Sequence, residues 1–228
     1  GYPVLSDKGM ASLIGGDTLT ATRINVPADI SSAAFFMVAA AITPDSDVTL
    51  SHVGVNPTRM GIITILKKMG ANLTFSNSNE VGGEPVADIR IRYSPLKGIA
   101  IPQDQVPLAI DEFPVLFIAA ACAEGKTTLR GAEELRVKES DRIQVMADGL
   151  KALGVDSEVL ADGIVINGPQ VFTGGRVDSH GDHRIAMSFT IASLRAEGSI
   201  QIDNCANVAT SFPGFIELAQ QLGIPIRN

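Results

Sequence analysis

Positive charge is in short supply. Lys and Arg number 18 against 25 Asp and Glu, a formal net charge of −7 over 228 residues. A generic nucleic-acid binder presents a basic face, so the deficit argues against that class. Cysteine is scarcer still, with Cys122 and Cys205 alone. Two are too few for a disulfide framework, and no Cys-x-x-Cys pair suggests zinc or redox chemistry. The expectation is reduced, partly buried thiols in a cytoplasmic protein. Long apolar runs are missing as well. The longest, residues 33–42, has ten residues, about half of what a membrane span requires. The N-terminal stretch does not combine basic residues, an apolar core and a small-residue cleavage site, so no export signal is read there. No G-x-G-x-x-G or G-x-x-x-x-G-K-[ST] phosphate loop occurs. Disorder is excluded by what is present, since 45% of the residues are hydrophobic and 19% charged, enough apolar surface to offset the entropy of ordering.

The strongest organisational signal is a repeat. Around Asp29 the chain reads INVPADISSAAFFMVAAAI, then VTLSHVGV, then a helical stretch ending ILKKMG at Gly70. Around Asp111 it reads VPLAIDEFPVLFIAAACA, then EGKTTLRGA, then a stretch ending GLKALG at Gly154. Around Asp182 it reads RVDSHGDHRIAMSFTIASL, then EGSIQIDN, then a stretch ending LAQQLG at Gly223. Acidic residue and terminal glycine are separated by 41, 43 and 41 residues. Order, type and spacing of elements all agree, which points to a triplicated supersecondary unit. Each unit reads as strand, helix, strand, helix and then a strand pair, βαβαββ.

The first helix of each unit is nearly continuous in apolar residues and must therefore be buried on every side. The second helices are amphipathic, with Ile62, Ile63, Ile65, Leu66 and Met69 beside Lys67 and Lys68. Gly70, Gly154 and Gly223 suit the left-handed residue that ends a helix. The fold class expected is α/β: three βαβαββ repeat units with inward-packed helices and outer sheets. Residues 1–26 fit this scheme less well. Their TLTATRINV segment reads as strand-like and their end as a hinge, so they are taken as the tail of an earlier unit.

Three segments carry candidate chemistry. Residues 130–142 hold four cations (Arg130, Arg136, Lys138, Arg142) and four anions (Glu133, Glu134, Glu139, Asp141). A solvated helix start with weak ion pairs is the plain reading. Yet Lys138 and Arg142, at i and i+4, would put two cations on one face at the wrong end of the helix dipole. That placement becomes favourable when an anion docks there. In DSHGDHRIAM, residues 178–187, His180 and His183 flanked by Asp178 and Asp182 have metal-like spacing. Arg184 argues against a divalent cation, and a donating imidazole beside a forked guanidinium suits an anion better. A capping loop, with Asp182 as the cap, is the structural alternative. Asp111, in IDEFP, reads either as a helix cap or as a carboxylate held among cations. The starts of the three buried helices should converge at one end, where their dipoles with Arg184, Arg142 and Lys138 make a cationic cleft. Asp111 and Glu139 would then serve there as acid and base.

Taken together, RVKESDRI (136–143), DSHGDHRIAM (178–187), IDEFPVL (110–116) and ATSFPGF (209–215), in this spacing, resemble the 5-enolpyruvylshikimate-3-phosphate synthase family across essentially the whole chain. The resemblance implies an enolpyruvyl transferase of the shikimate pathway, an inverse barrel of the enolpyruvyl transferase type forming one domain of a two-domain protein. Residues 1–26 would be the tail of the N-terminal domain and residues 27–228 the C-terminal domain. The substrates implied are phosphoenolpyruvate and shikimate 3-phosphate, and the partner is the N-terminal domain of the same enzyme. No cofactor, metal, nucleic acid or membrane is implied.

By the same resemblance Asp111 meets the reacting hydroxyl of shikimate 3-phosphate. Lys138 and Glu139 handle charge and protons at the enol carbon. Lys138, Arg142, His183 and Arg184 grip phosphoenolpyruvate. Two positions depart from the common pattern, Glu134 in place of Asn and Thr210 in place of Lys. The N-terminal elements that hold the sugar phosphate in the family are absent from this chain. Residues 56–59, NPTR, resemble a signature of the glyphosate-tolerant subgroup. The related UDP-N-acetylglucosamine enolpyruvyl transferases lack the G-D-H-R pattern found at 181–184. A half that binds ligand or partner without catalysis is the reading from a different class.

Overall fold

The computed structural model describes residues 2–227. It opens with a hairpin of β1 (Leu5–Asp7) and β2 (Met10–Ser12), paired antiparallel and exposed throughout. The TLTATRINV segment, residues 18–26, forms no strand and is exposed. Its alternating pattern finds no ladder partner among the described residues, and an unpaired extended chain buries nothing to offset its ordering.

From Ala28 onward the repeat governs. Asp29 accepts from the Ser32 backbone N–H at 2.9 Å and caps α1 (Ile30–Ile42), of which every residue but Ser32 is buried. Strand β3 (Asp47–Gly54) returns, α2 (Gly61–Lys68) follows, and β4 (Asn72–Val81) and β5 (Glu84–Arg92) close the unit. The second unit has α3 (Phe113–Cys122), β6 (Gly125–Leu129), α4 (Arg142–Ala152), β7 (Ser157–Leu160) and β8 (Gly163–Gly168). The third has β9 (Gly175–Asp178), α5 (His183–Ala192), β10 (Ile200–Asp203), α6 (Asn207–Ser211) and α7 (Phe215–Gln221).

Sheet orders β3-β5-β4 and β6-β8-β7 are antiparallel and equivalent, while β9 and β10 pair in parallel. The first strands of units one and two shrink to parallel bridges, Ala28 with Val53, and Lys97 and Ala100 with Glu124 and Thr128. Among the described residues the third unit carries no strand pair after α7, so the expected βαβαββ pattern is complete twice rather than three times.

The inward helices α1, α3 and α5 pack on one another at the centre of a continuous apolar core. In α3 all residues but Cys122 are buried. The second helices present one apolar side only. In α2, Ile62, Ile63, Ile65 and Leu66 are buried, while Lys67 and Lys68 stay outside. Phe35 and Phe36 of α1 meet Phe215 and Phe212 edge-on at 6.2 Å, which ties the last helices to the first.

The three spaced glycines close their helices identically. Gly70, Gly154 and Gly223 have φ of +91°, +80° and +87°. In each case the following residue's N–H returns to a carbonyl five residues back: Ala71 to Leu66 and Val155 to Leu150 at 2.9 Å, and Ile224 to Ala219 at 3.0 Å. This is the Schellman closure that the spacing predicts.

One glycine serves contact rather than conformation. A Cβ on Gly149 of α4 would lie 2.2 Å from the ring of Phe189 on α5, and that ring is fully buried. Gly149→Ala would gain ~1 kcal/mol of helix propensity but force overpacking. The expected outcome is a net loss of about 1–3 kcal/mol in urea unfolding. A stabilised variant would show that α4 and α5 can separate freely.

Candidate functional site

The polar end of the three inward helices is assembled around Arg142. Its side chain is 1% exposed, and each nitrogen has a carboxylate. Nε donates to Asp182 Oδ2 at 2.8 Å, Nη1 to Asp111 Oδ1 at 3.0 Å and Nη2 to Glu139 Oε2 at 2.5 Å. Asp182 is fully buried, and its other oxygen accepts from the Arg184 backbone N–H at 2.9 Å as the cap of α5. Capping and site-building are therefore one role for Asp182. Ser140 adds its hydroxyl to Asp182 at 3.1 Å.

Lys138 was expected on the first turn of a helix, sharing a face with Arg142. The structure corrects this. Residues Glu133–Val137 form a 3₁₀ turn, Lys138 is extended, and α4 starts only at Arg142 with Asp141 as its cap. Arg136 fixes the turn by donating to the carbonyls of Ala161 and Leu160 and to Asp141, at 2.6–2.7 Å. Lys138 still reaches the site, with Nζ 3.6 Å from Asp111 Oδ1 and paired to Glu134 at 2.5 Å. The departure at position 134 thus places an anion directly on this lysine. Thr210, the other departure, is exposed on α6.

Arg184 approaches Asp111 from α5. Its Nη1 donates to the Asp111 carbonyl at 3.1 Å, and Nη2 lies 3.8 Å from Asp111 Oδ2. Asp111 is not the cap of α3, because Glu112 occupies that position. Burial works to raise the Asp111 pKa, but Arg184, Lys138 and Arg142 together outweigh it and hold the carboxyl below its ordinary value. A depressed pKa stabilises the fold above the ordinary carboxylate range, and that contribution is lost as the pH falls through the lower folded value. The Lys138 ammonium is held up, first by its bond to Glu134 and then, against burial, by the Asp111 charge. His183 is half-buried, and burial followed by the Arg184 charge lowers its pKa, against the pull of Asp182 and Glu139. A neutral imidazole beside a guanidinium is the resulting state.

The structure therefore brings Asp111, Lys138, Glu139, Arg142 and Arg184 into one bonded cluster, with His183 within its field. Arg142, expected as an anion-gripping cation, meets three carboxylates. It is the hub that spaces them, and with four bonds for five N–H groups one Nη1 hydrogen is without a partner among the described residues. Lys138 and Arg184, 22% and 16% exposed, have more room for a ligand than Arg142 at 1%. The metal-like spacing at 178–183 is dispersed. Asp178 Oδ1 accepts from the His180 backbone N–H at 2.7 Å and from Asn204 at 2.8 Å, while Asp182 faces Arg142. Sequence reasoning overlooked Ser140 and the buried pair Ser31 and Glu112. The Glu112 hydroxyl partner lies 81 residues away, and only the second acid of IDEFP hinted at it.

Two carboxylates held among fixed cations at converging helix starts can exchange protons beside a bound anion. Known proteins share this arrangement of sequence. The family described as EPSP synthase (3-phosphoshikimate 1-carboxyvinyltransferase) matches residues 4–218. A relative from Methylococcus capsulatus named 3-phosphoshikimate 1-carboxyvinyltransferase is 66% identical over 226 residues, 99% of this chain and 52% of its own length. The structure of EPSP synthase from Acinetobacter baumannii superposes with a TM-score of 0.95 at 60% identity, over 100% of this chain and 53% of that one. The enolpyruvyl transferase NikO from Streptomyces tendae shares the fold, with a TM-score of 0.67 at 20% identity over 87% of this chain and 43% of that one. The chain thus spans about half the length of the curated relatives it matches, and on this sequence and this fold it belongs to the EPSP synthase family.

Proposed function

We propose that this chain supplies the phosphoenolpyruvate-facing half of a cytoplasmic enzyme that transfers the enolpyruvyl group to shikimate 3-phosphate and releases phosphate. Residues 1–26 are the tail of the preceding domain and residues 27–228 the C-terminal domain. The observation that carries the reading is the Asp111–Arg142–Glu139 cluster, flanked by Lys138 and Arg184 at the ends of three inward helices. In the reaction the substrate hydroxyl loses its proton as its oxygen bonds to C2 of the enol, and C3 gains a proton. The tetrahedral intermediate then loses a C3 proton and expels phosphate.

Asp111, kept ionised by three cations, stands at the hydroxyl. Glu139 and Lys138 move the proton at C3. Arg184, Lys138 and His183 hold the carboxylate and phosphate, and Arg142 keeps Asp111 and Glu139 apart in fixed positions. Nothing in this chemistry requires a cofactor or metal.

The whole enzyme tests these roles. Asp111→Ala and Glu139→Gln should each lower kcat by ~10²–10⁴-fold with modest change in KM, because proton transfer acts in the transition state. Arg184→Ala should raise the KM for phosphoenolpyruvate as well, since a gripping cation acts on bound ground states too. Variants of Asp111 and Glu139 that melt early yet turn over normally would reduce both residues to structural ion-pair partners.

A further inference from the structure

Glu112 is 5% exposed, caps α3 by position and yet makes no capping bond with its side chain. A carboxylate buried at that cost requires another partner. Its Oε1 accepts from the hydroxyl of Ser31, a buried residue of α1. Ser31 Oγ in turn accepts from Arg59 Nη2 at 2.7 Å, and Arg59 Nη1 pairs with Asp29 at 2.8 Å. Arg59 is fixed by the 3₁₀ turn Pro57–Arg59, whose cap Asn56 accepts from the Thr58 backbone N–H at 3.0 Å. At the other end, Glu112 Oε1 lies 3.8 Å from Arg184 Nη1. The line therefore crosses all three repeat units, from α1 through α3 to α5.

We propose that Glu112 is a positioning residue for Arg184, and that Arg59 and Ser31 fix Glu112 in turn. The proposal rests on the reading of Arg184 as a cation that grips phosphoenolpyruvate. Arg184 stands between two acids. Glu112 and the Asp111 carbonyl engage Nη1, while the Asp111 carboxylate lies 3.8 Å from Nη2. With Nη1 anchored, Nη2 and Nε make no hydrogen bond among the described residues and remain a fork for a carboxylate or phosphate. Without the Glu112 charge the guanidinium closes onto Asp111. A gripping cation and a reacting carboxylate would then satisfy each other instead of the substrate. Burial raises the Glu112 pKa, and the Ser31 bond and the charges of Arg184 and Arg59 oppose that rise, with Asp111 adding to it. Removal of Arg59 or Ser31 thus weakens the very charge that holds Arg184.

The test uses the whole enzyme with Arg59→Met, Ser31→Ala and Glu112→Gln. The expected result is a rise of about tenfold in the KM for phosphoenolpyruvate, below the ~10²-fold cost of a 1 Å misplacement. The KM for shikimate 3-phosphate should hold steady. A second readout is independent of turnover. In arginine-labelled enzyme the Nε–Hε resonance of Arg184 should shift in Arg59→Met, although the Arg59 guanidinium bonds to Ser31 and Asp29 and not to Arg184. Folded variants with unchanged phosphoenolpyruvate KM and an unmoved Arg184 signal would overturn the proposal. So would an equal rise in both KM values with that signal unmoved, the mark of a merely structural role. If Glu112→Gln fails to fold, Arg59→Met, whose side chain is half exposed, decides the matter. A wild-type enzyme without turnover would sink the functional reading, and the Arg184 resonance would still judge this one.

Discussion

The 228-residue chain on its own is expected to release phosphate from phosphoenolpyruvate and shikimate 3-phosphate at no more than about 10⁻⁵ of the whole enzyme's rate. The cluster around Arg142 offers Lys138 and Arg184 to one anion, but the second substrate must be held in register with it. Fixing two reactants in a near-attack geometry accounts for ~7–11 kcal/mol of barrier lowering, and half a cleft forfeits most of it. Misfolding would give the same kinetic result for a different reason, so unfolding must be followed on the same sample. The two complete repeat units and the shared core of α1, α3 and α5 predict one cooperative transition with its near-ultraviolet signal intact below it. Activity should reappear when the missing half is added. Robust turnover by the purified chain alone would show that the second substrate binds here and that the division of labour is wrong.

Arg142→Met is the largest stability effect expected, a loss of about 3–5 kcal/mol from removing one partner of a buried ion pair. For a chain of this length that lowers the melting temperature by roughly 6–20 °C. The substitution fills similar space but strands Asp182, which is fully buried and already serves as the α5 cap. Asp111 and Glu139 remain half exposed and recover water, so most of the loss belongs to Asp182. A double substitution, Arg142→Met with Asp182→Asn, should therefore cost less than the sum of the two single changes. Additive losses in urea unfolding would mean that Arg142 and Asp182 do not depend on each other. A guanidinium that served only as a ligand grip would leave the melting curve nearly unchanged.

The inward helices were legible because residues 33–42 and 115–123 leave no polar face, and burial on all sides is the one solution for such a helix. The glycine closures were legible because a residue with φ near +80° after an amphipathic stretch has few alternatives to glycine. The start of α4 was misread for a definite reason. Lys138 and Arg142 have helical spacing, but Lys138 reaches Asp111 outside the local segment, and Arg136 ties the turn to the carbonyls of residues 160 and 161. Contacts of that range leave no periodic trace. The same holds for Ser31, which reads as an ordinary helix residue until Glu112 is placed beside it. TLTATRINV shows the opposite failure, a correct local pattern without the neighbour that would make it a strand.

The missing polar face on α1 and α3 has a consequence for how these helices are aimed. A cylinder equally oily all round gains nearly the same burial at any angle about its axis, so hydrophobicity alone does not choose which residue faces the cleft. Side-chain volume narrows the choice, and the bond between Ser31 and Glu112 at their leading ends sets it. That bond is an index mark on two otherwise unmarked rods. A substitution there removes that mark and leaves their angle to side-chain shape alone.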